Sequence, residues 1–127
     1  MPTKILTVDD NRTVRMAIQR ALRMYDCTFF EASDGEEGLS VAAREKPALI
    51  ILDIGMPVMD GVTMLGRLRH EQELKAIPVM MLTAESSRED VARVSRLGVS
   101  DYLSKPFEEE ALLDKVRKIV PLPAKPA

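Results

Sequence analysis

At 127 residues the chain is the size of one domain, long enough to enclose a single core and too short for a second catalytic lobe. Hydrophobic residues at 46% and charged residues at 30% argue against a disordered or membrane-embedded chain, and 18 basic residues interspersed with 20 acidic ones leave no basic face for a nucleic-acid backbone. The longest apolar stretch, Ala48 to Leu52, is far below the roughly 20 residues of a membrane-spanning helix, and a single cysteine with no charged-then-apolar leader reads as cytoplasmic and unprocessed.

Taken in chain order, Ile5 to Val8 is a short apolar run that reads as a strand. Val14, Ala17, Ile18, Ala21, Leu22 and Tyr25 then recur at three- and four-residue steps along one face of a helix. Cys27 to Phe30 is a second strand. Asp34 stands three positions before Glu37, an N-cap and its capping partner, so a second helix is expected from about Glu36 to Arg44, weakened by Gly35 and Gly38 and closed by Pro47. Leu49 to Leu52 and Val79 to Leu82 are nearly continuous apolar runs, as parallel strands buried on both faces are. Between them Asp60-Gly61 opens a third helix with Met64, Leu65 and Leu68 facing inward, and Ile77-Pro78 leads into the fourth strand. Ser86 with Glu89, or Ser87 with Asp90, makes a capping box for a fourth helix, which ends at Gly98, where a left-handed backbone is expected. Tyr102-Leu103 is a weak fifth strand. Glu108 to Glu110 open a fifth helix and Lys115, Arg117 and Lys118 close it, charges that complement the helix dipole. Residues 1–120 are expected to form the domain, and 121–127 a proline-broken tail.

Alternating strands and helices imply an α/β fold with a doubly wound parallel sheet, which binds ligands at the carboxyl ends of its strands. Asp9 and Asp10 end the first strand, Asp53 the third, Thr83 the fourth, and Lys105 follows the fifth. Each has a bland reading alone: Asp10 or Asn11 caps a helix, Asp53 begins a turn, Thr83 finishes a strand. Together they make a site. Three crowded carboxylates need a nearby cation to stay ionised, supplied by Lys105 and a metal, and an all-oxygen set without a Cys/His cluster suits Mg²⁺ rather than zinc. A carboxylate can attack phosphorus to give an acyl phosphate, a reaction carried by positioning and by neutralising the transferring oxygens.

Val8-Asp9-Asp10, Leu52-Asp53, Met56-Pro57-Val58-Met59-Asp60-Gly61, Thr83-Ala84 and Lys105-Pro106-Phe107 resemble, in order and in placement, the receiver domain of bacterial response regulators, from Lys4 to about Val120. The resemblance implies a flavodoxin-like five-stranded sheet of order 2-1-3-4-5. It implies that Asp53 accepts a phosphoryl group from a sensor histidine kinase or a phosphotransfer protein. Asp9, Asp10, Asp53 and the Gly55 backbone carbonyl would hold Mg²⁺, while Thr83 hydrogen-bonds the phosphoryl group and Lys105 pairs with it. Tyr102 matches an aromatic position that changes rotamer in the active state, and it reads equally as a strand residue packing on the fourth helix. The responding surface would be the fourth helix, fifth strand and fifth helix, roughly Arg88 to Lys118, docking a downstream target in trans or a second, phosphorylated copy. Only self-catalysed phosphoryl transfer and autodephosphorylation are implied, with no metabolite turned over.

Gly55 has no side chain at a position that, with Glu85, tunes phosphate lifetime in that family. Asn11 reads as a helix start, His70 as a solvated helix residue rather than a relay donor, most methionines as core filler, and Cys27 as an inert apolar residue. Two competing readings stand beside the switch. A small aspartyl phosphatase would usually carry a second acid where Gly55 stands, and would need a cap over its substrate. A docking module indifferent to phosphorylation would not require the intact set of Asp9, Asp10, Asp53, Thr83 and Lys105.

Overall fold

The computed structural model describes residues 2–84 and 87–126, in which five strands and five helices alternate. β1 (Thr3–Val8), β2 (Cys27–Ala32), β3 (Leu49–Asp53), β4 (Val79–Thr83) and β5 (Asp101–Ser104) form one parallel sheet of order β2-β1-β3-β4-β5, the expected topology. α1 (Arg12–Leu22), α2 (Gly35–Glu45), α3 (Gly61–His70), α4 (Arg88–Leu97) and α5 (Glu109–Ile119) follow the strands in turn. The strands extend past their apolar runs because backbone pairing does not stop where hydrophobicity does. Thr3 and Lys4, for example, pair with Cys27 and Thr28.

The continuous apolar run of β3 feeds both faces of the sheet. Ile50 and Leu52 join a core with Met64, Leu65 and Leu68 of α3 and Val94 of α4, whereas Leu49 and Ile51 join one with Ile18 and Leu22 of α1 and Leu112 and Val116 of α5. Each such side chain contributes about 1.5–3 kcal/mol relative to leaving it in water.

The helix ends follow local chemistry. Asn11 caps α1 through Oδ1, which accepts from the Thr13 and Val14 amides, so Asp10 is left to the strand end. Asp34 accepts from the Glu37 amide at 2.9 Å, and the Glu37 carboxylate reaches back to the Ser33 amide at 2.7 Å. The capping box expected at Ser87 is not formed. Its hydroxyl is committed to the preceding turn, accepting from the Ala84 N–H at 2.9 Å and donating to the Ala84 carbonyl at 2.6 Å, which leaves nothing for the helix amides; Ser86, the alternative, lies outside the described residues. Gly98 takes the expected positive φ of 92, with ψ of 106 carrying the chain away extended.

α1 stops at Leu22, so Tyr25 belongs to the turn beyond it rather than to the helix face. The tail is docked: Thr3 Oγ1 donates to the Pro121 carbonyl at 3.0 Å, the Asp26 N–H to the Pro123 carbonyl at 2.7 Å, and Ala124 forms an antiparallel bridge with Tyr25. Arg117 of α5 completes this corner, its guanidinium 5.6 Å from the Tyr25 ring centroid and donating to the Tyr25 hydroxyl at 2.5 Å.

Candidate functional site

Strand register explains why residues distant in sequence meet. Val8 pairs with Leu52, so Asp9 and Asp53 leave adjacent strands side by side; Asp53 pairs with Leu82 and Thr83 with Ser104, which brings Thr83 and Lys105 to the same carboxyl edge. The Asp9, Asp10 and Asp53 carboxylates each offer an oxygen within 4.8 Å of the others. Lys105 Nζ bridges two of them, 2.8 Å from Asp9 Oδ2 and 3.1 Å from Asp53 Oδ1. The Lys105 amide also donates to the Thr83 carbonyl at 2.7 Å, tying the two residues together through the backbone.

Asp9 is fully buried. Its Oδ1 accepts from the Asn11 N–H at 2.8 Å, but Oδ2, although close to the Lys105 ammonium, has no donor at hydrogen-bond angles. Burial pushes the Asp53 carboxyl up from 3.8 to about 6; the Asp9 charge adds to this and Lys105 opposes it. Lys105 responds in the opposite sense. Burial alone would lower its pKa, but the close ion pairs with Asp9 and Asp53 outweigh burial and raise it. A buried, under-satisfied oxygen in a cluster of three carboxylates fits a hard divalent cation with oxygen ligands, so the residues present suit Mg²⁺.

A cleft of about 380 Å³ opens over these groups, walled by Asp10, Asp53, Gly55, Ala84, Ser87 and Lys105. Gly55 faces open space, with nothing within 4 Å of where a Cβ would stand. Thr83 is buried at the end of β4, and it is its neighbour Ala84 that lines the cleft. Tyr102 lies outside the cleft, partly buried against the core that contains Val94 of α4. His70 is exposed at the end of α3, with Nδ1 2.7 Å from the Gly66 carbonyl. Cys27 is half-buried rather than enclosed, because it lies on β2, the end strand of the sheet.

Asn11, Ser87 and Asp90, which the sequence marks only as helix-start residues, also line the cleft. Asn11 and Ser87 look like helix starters, which conceals that the same turns border the carboxylates. Arg15 supports the floor by donating to the Asp9 carbonyl at 2.6 Å, a contact no motif signals.

The sheet order and the acidic edge define a receiver. The family model of the response regulator receiver domain matches residues 5–117, and the chain belongs to that family. It is 36% identical over 119 residues to chemotaxis protein CheY-3 of Vibrio cholerae, covering 91% of this chain and 90% of that protein. It is 37% identical over 117 residues to the probable transcriptional regulator ycf27 of Porphyridium aerugineum, covering 92% of this chain and 48% of that one. The chain thus spans about half the length of some curated relatives it matches. The structure of Vibrio cholerae CheY4 superposes with a TM-score of 0.87 at 32% identity, over 94% of this chain and 100% of that one. Receiver domains are signalling switches of two-component systems that bind Mg²⁺ at an acidic cluster and interact with histidine kinases and downstream effectors. Among the described residues no helix is long and apolar enough to cross a membrane.

Proposed function

We propose that the chain is a phosphorylation-dependent response regulator in which Asp53 accepts a phosphoryl group from a histidine kinase or phosphotransfer protein. The observation that carries this reading is the Lys105 ammonium held between Asp9 and Asp53 in a cleft that also presents Asp10. An Asp53 carboxylate oxygen attacks phosphorus, the bond from phosphorus to the donor's leaving atom breaks, and the departing imidazole or carboxylate takes the displaced electron pair. Asp9, Asp10, Asp53 and the Gly55 carbonyl are the groups to hold Mg²⁺, which when bound neutralises the transferring oxygens. Lys105 pairs with the phosphoryl group and Thr83 donates its hydroxyl to it. Autodephosphorylation closes the cycle: water attacks phosphorus, the bond from phosphorus to the Asp53 oxygen breaks, and the carboxylate is regenerated as inorganic phosphate leaves.

Phosphorylation adds about −1.5 to −2 charge and strong acceptor oxygens. Thr83 and Lys105 are drawn in as a pair, since the Lys105 amide is bonded to the Thr83 carbonyl. The strand that carries Tyr102 and the turn that starts α4 respond with them. α4 is suited to move: it contributes one buried residue, Val94, where each other helix contributes three or four. The surface of α4, β5 and α5 then docks a downstream partner or a second copy.

Acetyl phosphate with Mg²⁺ tests the assignment. The expected result is one phosphoryl group per chain, abolished by Asp53→Asn with the fold retained and suppressed by chelation. Equal labelling of the variant would overturn it, and multiple turnover of a phosphomonoester would mark a phosphatase instead.

A further inference from the structure

A groove of about 690 Å³, larger than the carboxylate cleft, lies between α1 and the outer edge of β2. Cys27, Thr28 and Phe29 all line it, although consecutive strand side chains point to opposite faces; what the three share is the strand edge itself. β2 is the end strand of the sheet. The Asp26 N–H and carbonyl are engaged by Pro123 and Thr3, and the Ala32 carbonyl by Asp9, all on the β1 side. By alternation the amides of residues 27, 29 and 31 face outward. The Cys27 N–H is taken by the Tyr25 carbonyl, which among the described residues leaves Phe29 and Glu31 presenting N–H and C=O to the outer edge.

Leu22, Tyr25 and Phe29 give the groove an apolar floor. Met16, 45% exposed, lines it from the helix and is one of three exposed large hydrophobic residues among the described residues. Arg20, Arg23 and Lys125 form its rim, and no acidic side chain lines it among the described residues. Glu31, further along the strand, is paired with Arg15 at 3.0 Å. In a chain of net charge −2, three cations without an acid are a local reversal of sign.

We propose that this groove docks an extended acidic segment of a partner protein, which adds a strand to the free edge of β2. Main-chain pairing with Phe29 and Glu31 supplies affinity, alternate apolar side chains settle on the floor and the adaptable Met16, and Arg20, Arg23 and Lys125 select for acidic residues between them. Phosphoryl acceptance at Asp53 is a separate property at a separate place.

The test uses the full chain and a short fluorescent peptide alternating glutamate with valine, against a control alternating lysine with valine. The acidic peptide is expected to bind with an affinity that falls as salt is raised. Binding should slow amide exchange at Phe29 and Glu31 and shield Cys27 from alkylation, assayed at mildly alkaline pH because burial raises the thiol. Neutralising the exposed pair as Arg20→Gln with Arg23→Gln should weaken binding roughly three- to tenfold while acetyl phosphate labelling of Asp53 is unchanged. Equal binding of the lysine peptide, or bound acidic peptide without slowed exchange at Phe29 and Glu31, would refute the proposal. So would arginine-dependent binding to phosphatidylglycerol vesicles with no binding of the acidic peptide, which would make the groove a membrane-surface site.

Discussion

Gly61 lies against the backbone of Asp53 so closely that a Cβ on it would press into the Asp53 carbonyl and stand 2.9 Å from the Ile54 Cα. The Gly61 N–H meanwhile donates to the Ile54 carbonyl at 2.8 Å, closing the loop back onto the end of β3. Neither backbone can yield as a flexible side chain would. Gly61→Ala should therefore cost about 2–3 kcal/mol in urea unfolding and slow phosphoryl acceptance. Gly55→Asn, two residues after Asp53 and open to solvent, should leave the unfolding midpoint unchanged while altering the lifetime of the phosphoryl group.

The raised carboxyl of Asp53 gives the fold a pH signature. Its folded value of about 6 exceeds the ordinary 3.8, so the folded chain holds that proton more tightly than the unfolded one. Stability from this group is full below 3.8 and is lost as pH rises through about 6. Ionised Asp53 thus costs the metal-free protein roughly 2–3 kcal/mol at neutral pH. Asp53→Asn should be more stable than the parent at pH 7, with the difference vanishing at acid pH. Mg²⁺ should raise the melting temperature of the parent and not of the variant; a difference independent of pH would contradict this account.

Arg69, at the end of α3, donates to the carbonyls of Leu97 and Gly98 at the C-terminal end of α4 and to those of Lys75 and Ile77 before β4. It closes the C-terminal end of α4, whose N-terminal turn rests on Ser87 and Ala84. Arg69→Ala should destabilise by about 2–4 kcal/mol, and Arg69→Lys should restore little, because an ammonium cannot span four acceptors as a planar fork does. Chemical denaturation of the three proteins decides the point.

Val58 takes φ of 67 while 77% exposed, an unfavourable backbone for a β-branched residue with little packing in return. Val58→Asn, which tolerates this region, should stabilise by about 1 kcal/mol. A loss of stability would show that the valine side chain has a contact that matters.

The sheet and its acidic edge were legible because β3 and β4 are buried on both faces, and parallel strands deliver their last residues to one edge whatever lies between. The motif placed Asp9, Asp10, Asp53 and Lys105 in one cluster, and the structure brings their charged groups together. What stayed hidden depends on contacts between parts of the chain that no local pattern links. The Arg69 bonds span almost thirty residues, and the tail reaches back to Thr3. Val58 sits inside the motif, yet its residue type argues against the turn it adopts. Ser87 carries a good cap's chemistry and spends it on the turn before the helix.

The stacking of Arg117 on Tyr25 also has an optical consequence. The chain has no tryptophan and two tyrosines, Tyr25 at the docked corner and Tyr102 on β5, so its intrinsic emission comes from these two rings alone. Tyr25→Phe leaves a single fluorophore on the strand beside α4. If Tyr102 responds to phosphoryl acceptance as proposed, its intensity would report the event in real time, with no label added to the protein.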